Sequence, residues 1–302
     1  MFDSLDKHRC DLSIAGAFLF NRCQGAMNIE ALEALCSKKF SSLHKSRIRP
    51  DIEQIISKLI SHGLVRIHEH RQLPAFIIPG AQKSGTNAIR FNLKKHPQIS
   101  MPDREIHFFS REENWNLGLK WYREHFQDHH LLLGEKTPNY LPSTAAATRL
   151  NWLMPDVKFV VVLRNPIDRA YSHWNHYNLI SEKSANWGWE VVEFEDCLKQ
   201  KDFVRKNGHY ANHLERFFEH FPREQFLILV SERLRSQPEQ EFQRICEFLN
   251  VEPPAYMFES RHERSYETSM RPTTRRMLAE YYRPEDEKLF QLLGESFPEW
   301  SD

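Results

Sequence analysis

The seven residues Val157–Leu163 (VKFVVVL) limit the possible folds more than any other segment of this chain. They form an almost unbroken apolar run of strand length, which is typical of a strand buried on both faces of a parallel sheet. Similar short runs occur at Ala75–Ile78, Leu131–Leu133 and Phe226–Val230. The segments between them have the spacing of helices, namely Thr86–His96, Ser143–Leu153, Pro166–Ile180, His209–Phe221 and Pro238–Leu249. This alternation predicts an α/β fold, with a parallel sheet flanked by helices on both faces.

The first 72 residues have a different pattern. Helices are predicted at Asn28–Phe40 and Pro50–Ile60, and a short strand at Leu64–Ile67. Helix, helix, strand is the outline of a small winged-helix-like module. We therefore predict an N-terminal helical module over residues 1–72 and a second domain over residues 73–302.

Composition excludes several classes of protein. Forty-one Lys and Arg residues balance forty-one Asp and Glu residues, so bulk positive charge does not predict nucleic-acid binding. No apolar run reaches the length of a membrane span, and the N-terminus does not have the pattern of a signal peptide. Five cysteines form no C-x-x-C pair, which favours a reduced, cytoplasmic protein.

The loop after the first predicted strand is a candidate phosphate site. Residues Pro79–Asn87 read PGAQKSGTN, with Gly80 and Gly85 five residues apart as in a Walker A loop. The only lysine, Lys83, lies before the second glycine, and Thr86 stands where the Walker lysine would be. Backbone N–H groups at such a strand–helix turn bind anions. The alternative is a tight turn with an exposed lysine.

Polar side chains also follow the other predicted strands. Arg164 comes directly after Leu163, Ser172 lies about two turns into the next helix, and His176 is one turn further on. An arginine and a hydroxyl near one point suit a second phosphate. The alternatives are a structural ion pair for Arg164 and a backbone hydrogen bond for Ser172.

Two more segments bring candidate groups for acid–base chemistry. Lys136 follows the strand at Leu131–Leu133, in Glu135–Tyr140 (EKTPNY). Glu105 and His107 alternate with apolar residues in Arg104–Phe109 (REIHFF) and are general-base candidates. The alternatives are an ion pair in a solvated loop and a surface carboxylate.

These four segments follow one another along the chain as residues 83–87, 104–109, 135–140 and 163–176. In that order they resemble the sulfotransferases that use 3′-phosphoadenosine 5′-phosphosulfate (PAPS). The resemblance spans roughly residues 75–300 and is nearest to the heparan sulfate N- and 3-O-sulfotransferase branch and its bacterial relatives. It implies a P-loop-type α/β core and a PAPS-dependent sulfotransferase activity. The EIHFF and EKTPNY segments carry the likeness to that branch.

The resemblance also implies roles for individual residues. Lys83 and the loop residues Ser84, Gly85, Thr86 and Asn87 hold the 5′-phosphosulfate, and Arg164 and Ser172 hold the 3′-phosphate. Glu105 is the catalytic base, while His107, Lys136 and His176 are further active-site residues. Tyr210 lies near the nucleotide, and Arg271, in an altered version of the family's late basic loop, closes over the 3′-phosphate. Ser110 replaces a common aspartate of the family that contacts glycosaminoglycans.

Sulfuryl transfer requires stabilisation of charge on the leaving phosphate oxygen, which Lys83 supplies in this scheme. We expect a partly dry cleft to raise the pKa of Glu105 so that it can take the acceptor's proton. No metal is expected, and the spent product is 3′,5′-diphosphoadenosine (PAP). Two alternatives are a nucleotide kinase of the P-loop type and a nucleotide-binding protein without catalysis.

The sequence leaves three classes of acceptor open: a saccharide, a peptide and a secondary metabolite. It also leaves open whether the sulfuryl group is transferred to a hydroxyl or to an amine.

The N-terminal module is a capping or oligomerising domain, or it binds a peptide or another partner. Asn178–Glu195 is expected to be a loop that gates the substrate, and Trp174, Tyr177, Trp187 and Trp189 either line the acceptor cleft or pack beneath this loop. For His209 and His213, four residues apart, a structural role is favoured over metal binding.

Overall fold

The computed structural model describes residues 52, 54–58, 73–127, 130–183, 191–260 and 269–300. The chain divides into two compact units, one of residues 71–151 and 155–302 and the other of residues 1–70 and 152–154. Of the predicted helix Pro50–Ile60, residues 52 and 54–58 are described, and all are helical. The predicted elements Asn28–Phe40 and Leu64–Ile67 lie outside the described residues. The winged-helix outline and the boundary after residue 72 therefore stay predictions.

A five-stranded parallel sheet forms the centre of the larger unit, as far as the described residues show it. Its strands are β1 (Phe76–Gly80), β2 (Ile99–Ser100), β3 (Leu132–Lys136), β4 (Lys158–Leu163) and β5 (Phe226–Val230). Their order across the sheet is β2-β3-β1-β4-β5, and every neighbouring pair is parallel. The predicted α/β class with a buried parallel sheet is confirmed.

Helices follow the strands, as the alternation predicts. In the described residues they are α1 (Thr86–Lys95), α2 (Glu112–Trp115), α3 (Gly118–Arg123), α4 (Ala146–Leu153), α5 (Pro166–Lys183), α6 (Phe194–Gln200), α7 (Asp202–Lys206), α8 (Tyr210–Phe218), α9 (Ser231–Ser236), α10 (Pro238–Leu249) and α11 (Pro272–Leu293). Single 3₁₀ turns occur at Arg223–Gln225 and Pro298–Trp300.

Apolar side chains of β4 alternate between the two faces of the sheet, which explains why the strand is apolar throughout. Val160 and Val162 pack in a buried cluster with α1 and α10. On the other face, the ring of Phe159 lies 5.4 Å from that of Phe217 in α8 and 4.7 Å from that of Phe226 in β5. Both faces are thus covered, and the ligand-binding positions left are the ends of the strands.

The structure corrects the predicted end of β3. The strand was expected to stop at Leu133, but it continues to Lys136 because Ile77 and Ile78 of β1 pair with Glu135 and Lys136. Adjacent residues of a strand point to opposite faces. Glu135 and Lys136 therefore do not form the ion pair of a solvated loop: both side chains are buried, and they have different partners.

Helix α5 is longer than its predicted end at Ile180, and runs to Lys183. Residues 178–183, the first part of the expected gate loop, are therefore helical. Helix α6 begins at Phe194, one residue before the predicted end of that loop. Residues 184–190, with Trp187 and Trp189, lie outside the described part. No helix among the described residues has the length and apolarity to cross a bilayer.

Candidate active site

The loop between β1 and α1 has the geometry of an anion site. Gly85 is the N-cap residue of α1 with φ of 96°, and Lys83 has φ of 68°, so the backbone curls as it enters the helix. The first turn of α1 has no acidic residue, and no side chain caps it. Ser84 is fully buried, and its Oγ has no hydrogen-bond partner. A buried hydroxyl beside uncapped N–H groups fits an anionic phosphosulfate or phosphate group.

Arg164 connects this loop to the end of β4. Its guanidinium NH1 group donates a hydrogen bond to the backbone oxygen of Lys83 at 3.0 Å, and its buried Nε has no partner. The backbone oxygen of Arg164 accepts a hydrogen bond from the Tyr210 hydroxyl at 2.9 Å. Two predicted site residues, Lys83 and Arg164, are thus in direct contact, and Tyr210 holds the second of them.

Helix α5 begins immediately beyond Arg164. Asn165 caps it, since its Oδ1 accepts the backbone N–H groups of Ile167 and Asp168 at 2.9 and 3.3 Å. Pro166 occupies the first helical position, as predicted. The cap fixes the direction in which α5 leaves the sheet, and so the position of Ser172, which is buried two turns along it.

Four predicted residues form one connected cluster next to the loop. The ammonium of Lys136 donates hydrogen bonds to Asn87 Oδ1 at 2.6 Å and to Glu105 Oε1 at 2.5 Å. The other carboxylate oxygen of Glu105 lies 3.3 Å from His107 Nε2. The cluster joins the first turn of α1, the end of β3 and the segment 105–107 that lies between α1 and β3 in sequence.

The expected rise in the pKa of Glu105 is wrong for this state of the protein. Burial does raise it, but the hydrogen bond from His107 and the charge of Lys136 outweigh burial and lower the pKa to about 2. Glu105 is therefore ionised at neutral pH. The sequence placed the carboxyl group in a cleft, but the two neighbours that reverse the sign come from a strand end and from a turn.

The same cluster also shifts the pKa of Lys136. Burial lowers the pKa of its ammonium, and the charge of Glu105 only partly offsets this, while Arg90 lowers it further. Burial also lowers the pKa of Arg90, and the negative charge of Glu105 opposes that shift. Arg90 therefore interacts electrostatically with the cluster. Arg90 was not predicted as a site residue. The signal was present, because Arg90 follows Asn87 by three positions and so shares its side of α1.

His176 and its neighbours on α5 form an aromatic group. The ring of Tyr177 lies 4.9 Å from that of His173, 5.9 Å from His176 and 6.0 Å from Phe203. Burial raises the pKa of Tyr177, and the negative charge of Glu105 raises it further. Trp174 instead packs against Tyr171 and Phe194, with its indole N–H bound to the backbone oxygen of Val192. The packing alternative therefore holds for Trp174.

Arg271 is one of the exposed members of the predicted site. It precedes α11, its side chain is 65% exposed, and its guanidinium lies 3.8 Å from Glu193 and 3.7 Å from Glu195. The segment that resembles the family's late loop is Ser269–Pro272, and residues 261–268, which precede it, lie outside the described residues. Its predicted role at the 3′-phosphate stays a prediction.

No group of three or more His, Cys, Asp or Glu side chains with metal-binding geometry occurs in the described parts of the chain. His209 Nε2 instead lies 2.8 Å from the Tyr281 hydroxyl. His213 Nε2 lies 3.1 Å from the backbone oxygen of Lys206. The structural role favoured for these two histidines agrees with these contacts.

Comparisons with known proteins agree with this geometry. A family model described as "Sulfotransferase domain" matches residues 73–287. The chain is 31% identical over 197 residues to heparan sulfate glucosamine 3-O-sulfotransferase 5 of Homo sapiens, covering 63% of this chain and 57% of the relative. It is 30% identical over 258 residues to heparan sulfate glucosamine 3-O-sulfotransferase 3B1 of Homo sapiens, covering 75% of this chain and 65% of the relative. It thus spans less than two thirds of either relative.

A solved structure extends the similarity to the fold. The crystal structure of a sulfotransferase from Alicyclobacillus acidocaldarius superposes with a TM-score of 0.65 and 26% sequence identity. The superposition covers 76% of this chain and 98% of that one.

Proposed function

The chain belongs to the sulfotransferase domain family, and from that premise we propose that it transfers a sulfuryl group from PAPS to a hydroxyl of a saccharide acceptor. One observation carries the proposal. The ammonium of Lys136 bridges Asn87, at the start of α1, and Glu105, the base candidate. An anion site and a proton acceptor therefore lie on either side of one buried cation, as group transfer from an activated anion requires.

PAPS, when bound, supplies the activated sulfuryl group. The residues that fit its 5′ end are Lys83, Ser84 with its unpartnered hydroxyl, and the uncapped backbone N–H groups at Gly85, Thr86 and Asn87. Arg164 and the buried Ser172 fit the 3′-phosphate, as the family resemblance implies. Cationic and N–H donors here take the place that a divalent cation has in nucleotide kinases, in which a lysine follows the second glycine. Because Thr86 stands there, and because the family match is to sulfotransferases, the kinase alternative is not favoured.

Glu105 is the residue that takes the proton from the acceptor hydroxyl. It is ionised in the structure, so it is ready to accept, but a carboxylate with a pKa of about 2 is a weak base. Negative charge brought to the Asn87 side of Lys136 would compete with Glu105 for the ammonium. The pKa of Glu105 would then rise toward the value that burial favours, so its base strength would increase when the anion site is filled.

The class of acceptor rests on the relatives. Those named above act on heparan sulfate glucosamine, according to their names, and this supports a saccharide and O-sulfation over a peptide or an amine. The role of residues 1–72 and a cytoplasmic location have the support of the sequence pattern alone.

Transfer of radiolabelled sulfate from PAPS tests the proposal. Acceptors are glucosamine-containing oligosaccharides, a peptide mixture and small phenolic or alcoholic metabolites, each assayed with the full chain. We expect transfer to an oligosaccharide, and we expect Lys83→Ala to lose at least about 100-fold in kcat, because one charge-stabilising donor near the leaving oxygen is removed. Lys158→Ala is the matched control, since Lys158 lies at the opposite end of β4 and bonds the backbone oxygen of Phe248. Transfer to peptides only, or a normal rate in Lys83→Ala, refutes the assignment.

A further inference from the structure

A fully buried carboxylate lies beneath the catalytic turn. Glu135 is 0% exposed, and three hydroxyl groups donate hydrogen bonds to it: Tyr122 at 2.5 Å, Tyr140 at 2.6 Å and Thr137 at 2.7 Å. Burial raises the pKa of Glu135, and these three hydrogen bonds oppose that rise. Such a group is costly to bury, and the proton acceptor and cation of the proposed reaction are Glu105 and Lys136, so the chemistry itself does not account for Glu135.

Thr137 connects this carboxylate to the segment that carries Glu105 and His107. Its Oγ1 donates to Glu135 Oε1 and accepts the backbone N–H of Ile106 at 3.2 Å and, more weakly, that of His107 at 3.5 Å. A hydroxyl has one hydrogen to donate. Because Glu135 takes that hydrogen, the lone pairs of Thr137 are directed toward the two N–H groups.

The segment 105–107 needs such support. His107 has φ of 56°, a left-handed conformation that L-residues other than glycine adopt infrequently. The side-chain amide of Asn114 donates a hydrogen bond to the backbone oxygen of Ile106 at 2.8 Å. Both the N–H and the C=O group of Ile106 are therefore hydrogen-bonded. Left-handed backbone at a functional position persists where the surrounding structure holds it.

The two tyrosines extend the connection to the residues after His107. The ring of Tyr122 stacks on that of Phe108 at 4.5 Å, and the ring of Tyr140 meets that of Phe109 edge-on at 5.4 Å. Each tyrosine thus packs against the catalytic segment with its ring and donates to Glu135 with its hydroxyl. Hydrogen bonds and ring contacts converge on a single carboxylate.

We propose that Glu135 and Thr137 are positioning residues that set the backbone of Ile106 and His107, and thereby aim the Glu105 carboxylate and the His107 imidazole at the acceptor. This inference rests on the proposed function for its kinetic consequence. Neither residue touches the acceptor or the donor in this scheme. They act on the reaction through the backbone of the 105–107 turn alone.

The test is Thr137→Val, which keeps the shape of the side chain and removes the hydroxyl. We expect kcat for sulfate transfer to fall on the order of 10- to 100-fold, since small misplacements of a catalytic group have effects of that size. The KM for PAPS should stay unchanged, because Lys83, Ser84 and Arg164 do not depend on the turn. Thr137→Ser restores the hydroxyl and should restore the rate, which a loss of packing alone would not produce.

A second measurement does not depend on activity. Hydrogen exchange, read by mass spectrometry or NMR, should show faster exchange of the Ile106 and His107 amides in Thr137→Val, and protection in Thr137→Ser. Thr148→Val is the matched control: Thr148, in α4, lies 3.0 Å from His220 Nε2 and should affect neither the rate nor these amides. Where Thr137→Val does not fold, Thr137→Ala serves in its place.

Failure of this inference differs from failure of the proposed function. If the wild-type protein transfers sulfate, and Thr137→Val keeps its kcat or leaves the two amides protected, the positioning role is refuted. If the wild-type protein transfers no sulfate, the proposed function fails, and the exchange experiment still decides whether Thr137 holds the turn.

Discussion

Removing both neighbours that keep Glu105 ionised should reverse the sign of its pKa shift. The perturbation is the double substitution Lys136→Met with His107→Asn. Methionine keeps most of the volume of the lysine without its charge, and asparagine tolerates the left-handed backbone at residue 107 while being too short for the present contact. Lys136 and His107 are the partners that lower the pKa of Glu105 most, and the charge of Arg90 acts in the same direction.

The size of the effect follows from the balance at Glu105. Its pKa is about 2 against an ordinary value of 4.5, so the surroundings favour the ionised form by roughly 300-fold. Burial opposes this preference and is the largest single influence. Without the two neighbours only burial remains dominant, and the pKa should lie above 4.5. Either single substitution should give an intermediate shift of about one pH unit.

The assay is ¹³C NMR of protein labelled at the glutamate carboxyl carbons, and a Glu105→Gln spectrum assigns the signal. In the wild-type protein the Glu105 signal should stay constant from pH 8 to the onset of acid unfolding. In the double variant it should titrate with a midpoint above that of an ordinary glutamate. Lys158→Met is the control and should leave the signal constant. A constant signal in a folded double variant, or titration of the wild-type carboxyl above its ordinary range, would refute this account of the cluster.

Two further predictions concern Glu105 as the proposed base and helix α5, which begins next to the proposed second phosphate site. Glu105→Gln should lose at least about 100-fold in sulfate-transfer kcat, because it removes the proton acceptor and keeps the shape. It should also lower the unfolding midpoint, because the buried ammonium of Lys136 loses its counter-charge. A rate within a few-fold of wild type would assign the base elsewhere. Asn165→Ala should lower the free energy of unfolding by about 1–2 kcal/mol in urea, because the Oδ1 that accepts two N–H groups of the first turn of α5 is lost. An unchanged urea midpoint would show that the cap contributes nothing.

The sequence was sufficient for most of the sheet because its strands are continuous apolar runs. β5 and α10 have the predicted bounds, and β1 and β4 differ from theirs by one or two residues. The two-residue strand β2 and the short helices α2, α3, α6, α7 and α9 were missed, since segments of two to seven residues carry too little periodicity to detect. Helix α11 was missed as well although it has 22 residues; it contains Pro284, and a proline inside a helical pattern normally marks its end.

At the site, motif spacing found Lys83, Glu105 and Lys136, but it did not find what links them. The hydrogen bond from Lys136 to Asn87 spans 49 positions, and that from Ile106 to Thr137 spans 31. The pKa of Glu105 is lowered by the nearby His107 and by the long-range contact with Lys136, so the sequence pattern predicted a cleft without predicting the direction of the pKa shift. Glu135 reads in the sequence as a charged loop residue, and only its pairing with Ile77 shows that it faces the interior.

In the proposed donor pocket, the hydrogen bond from Arg164 to the backbone oxygen of Lys83 connects the residue assigned to the 3′-phosphate with the loop assigned to the 5′-phosphosulfate. The two halves of that pocket share one arginine, so their affinities are energetically coupled. Substitutions at opposite ends of the nucleotide should therefore combine non-additively, and a ligand that fills one half alone should pre-order the other.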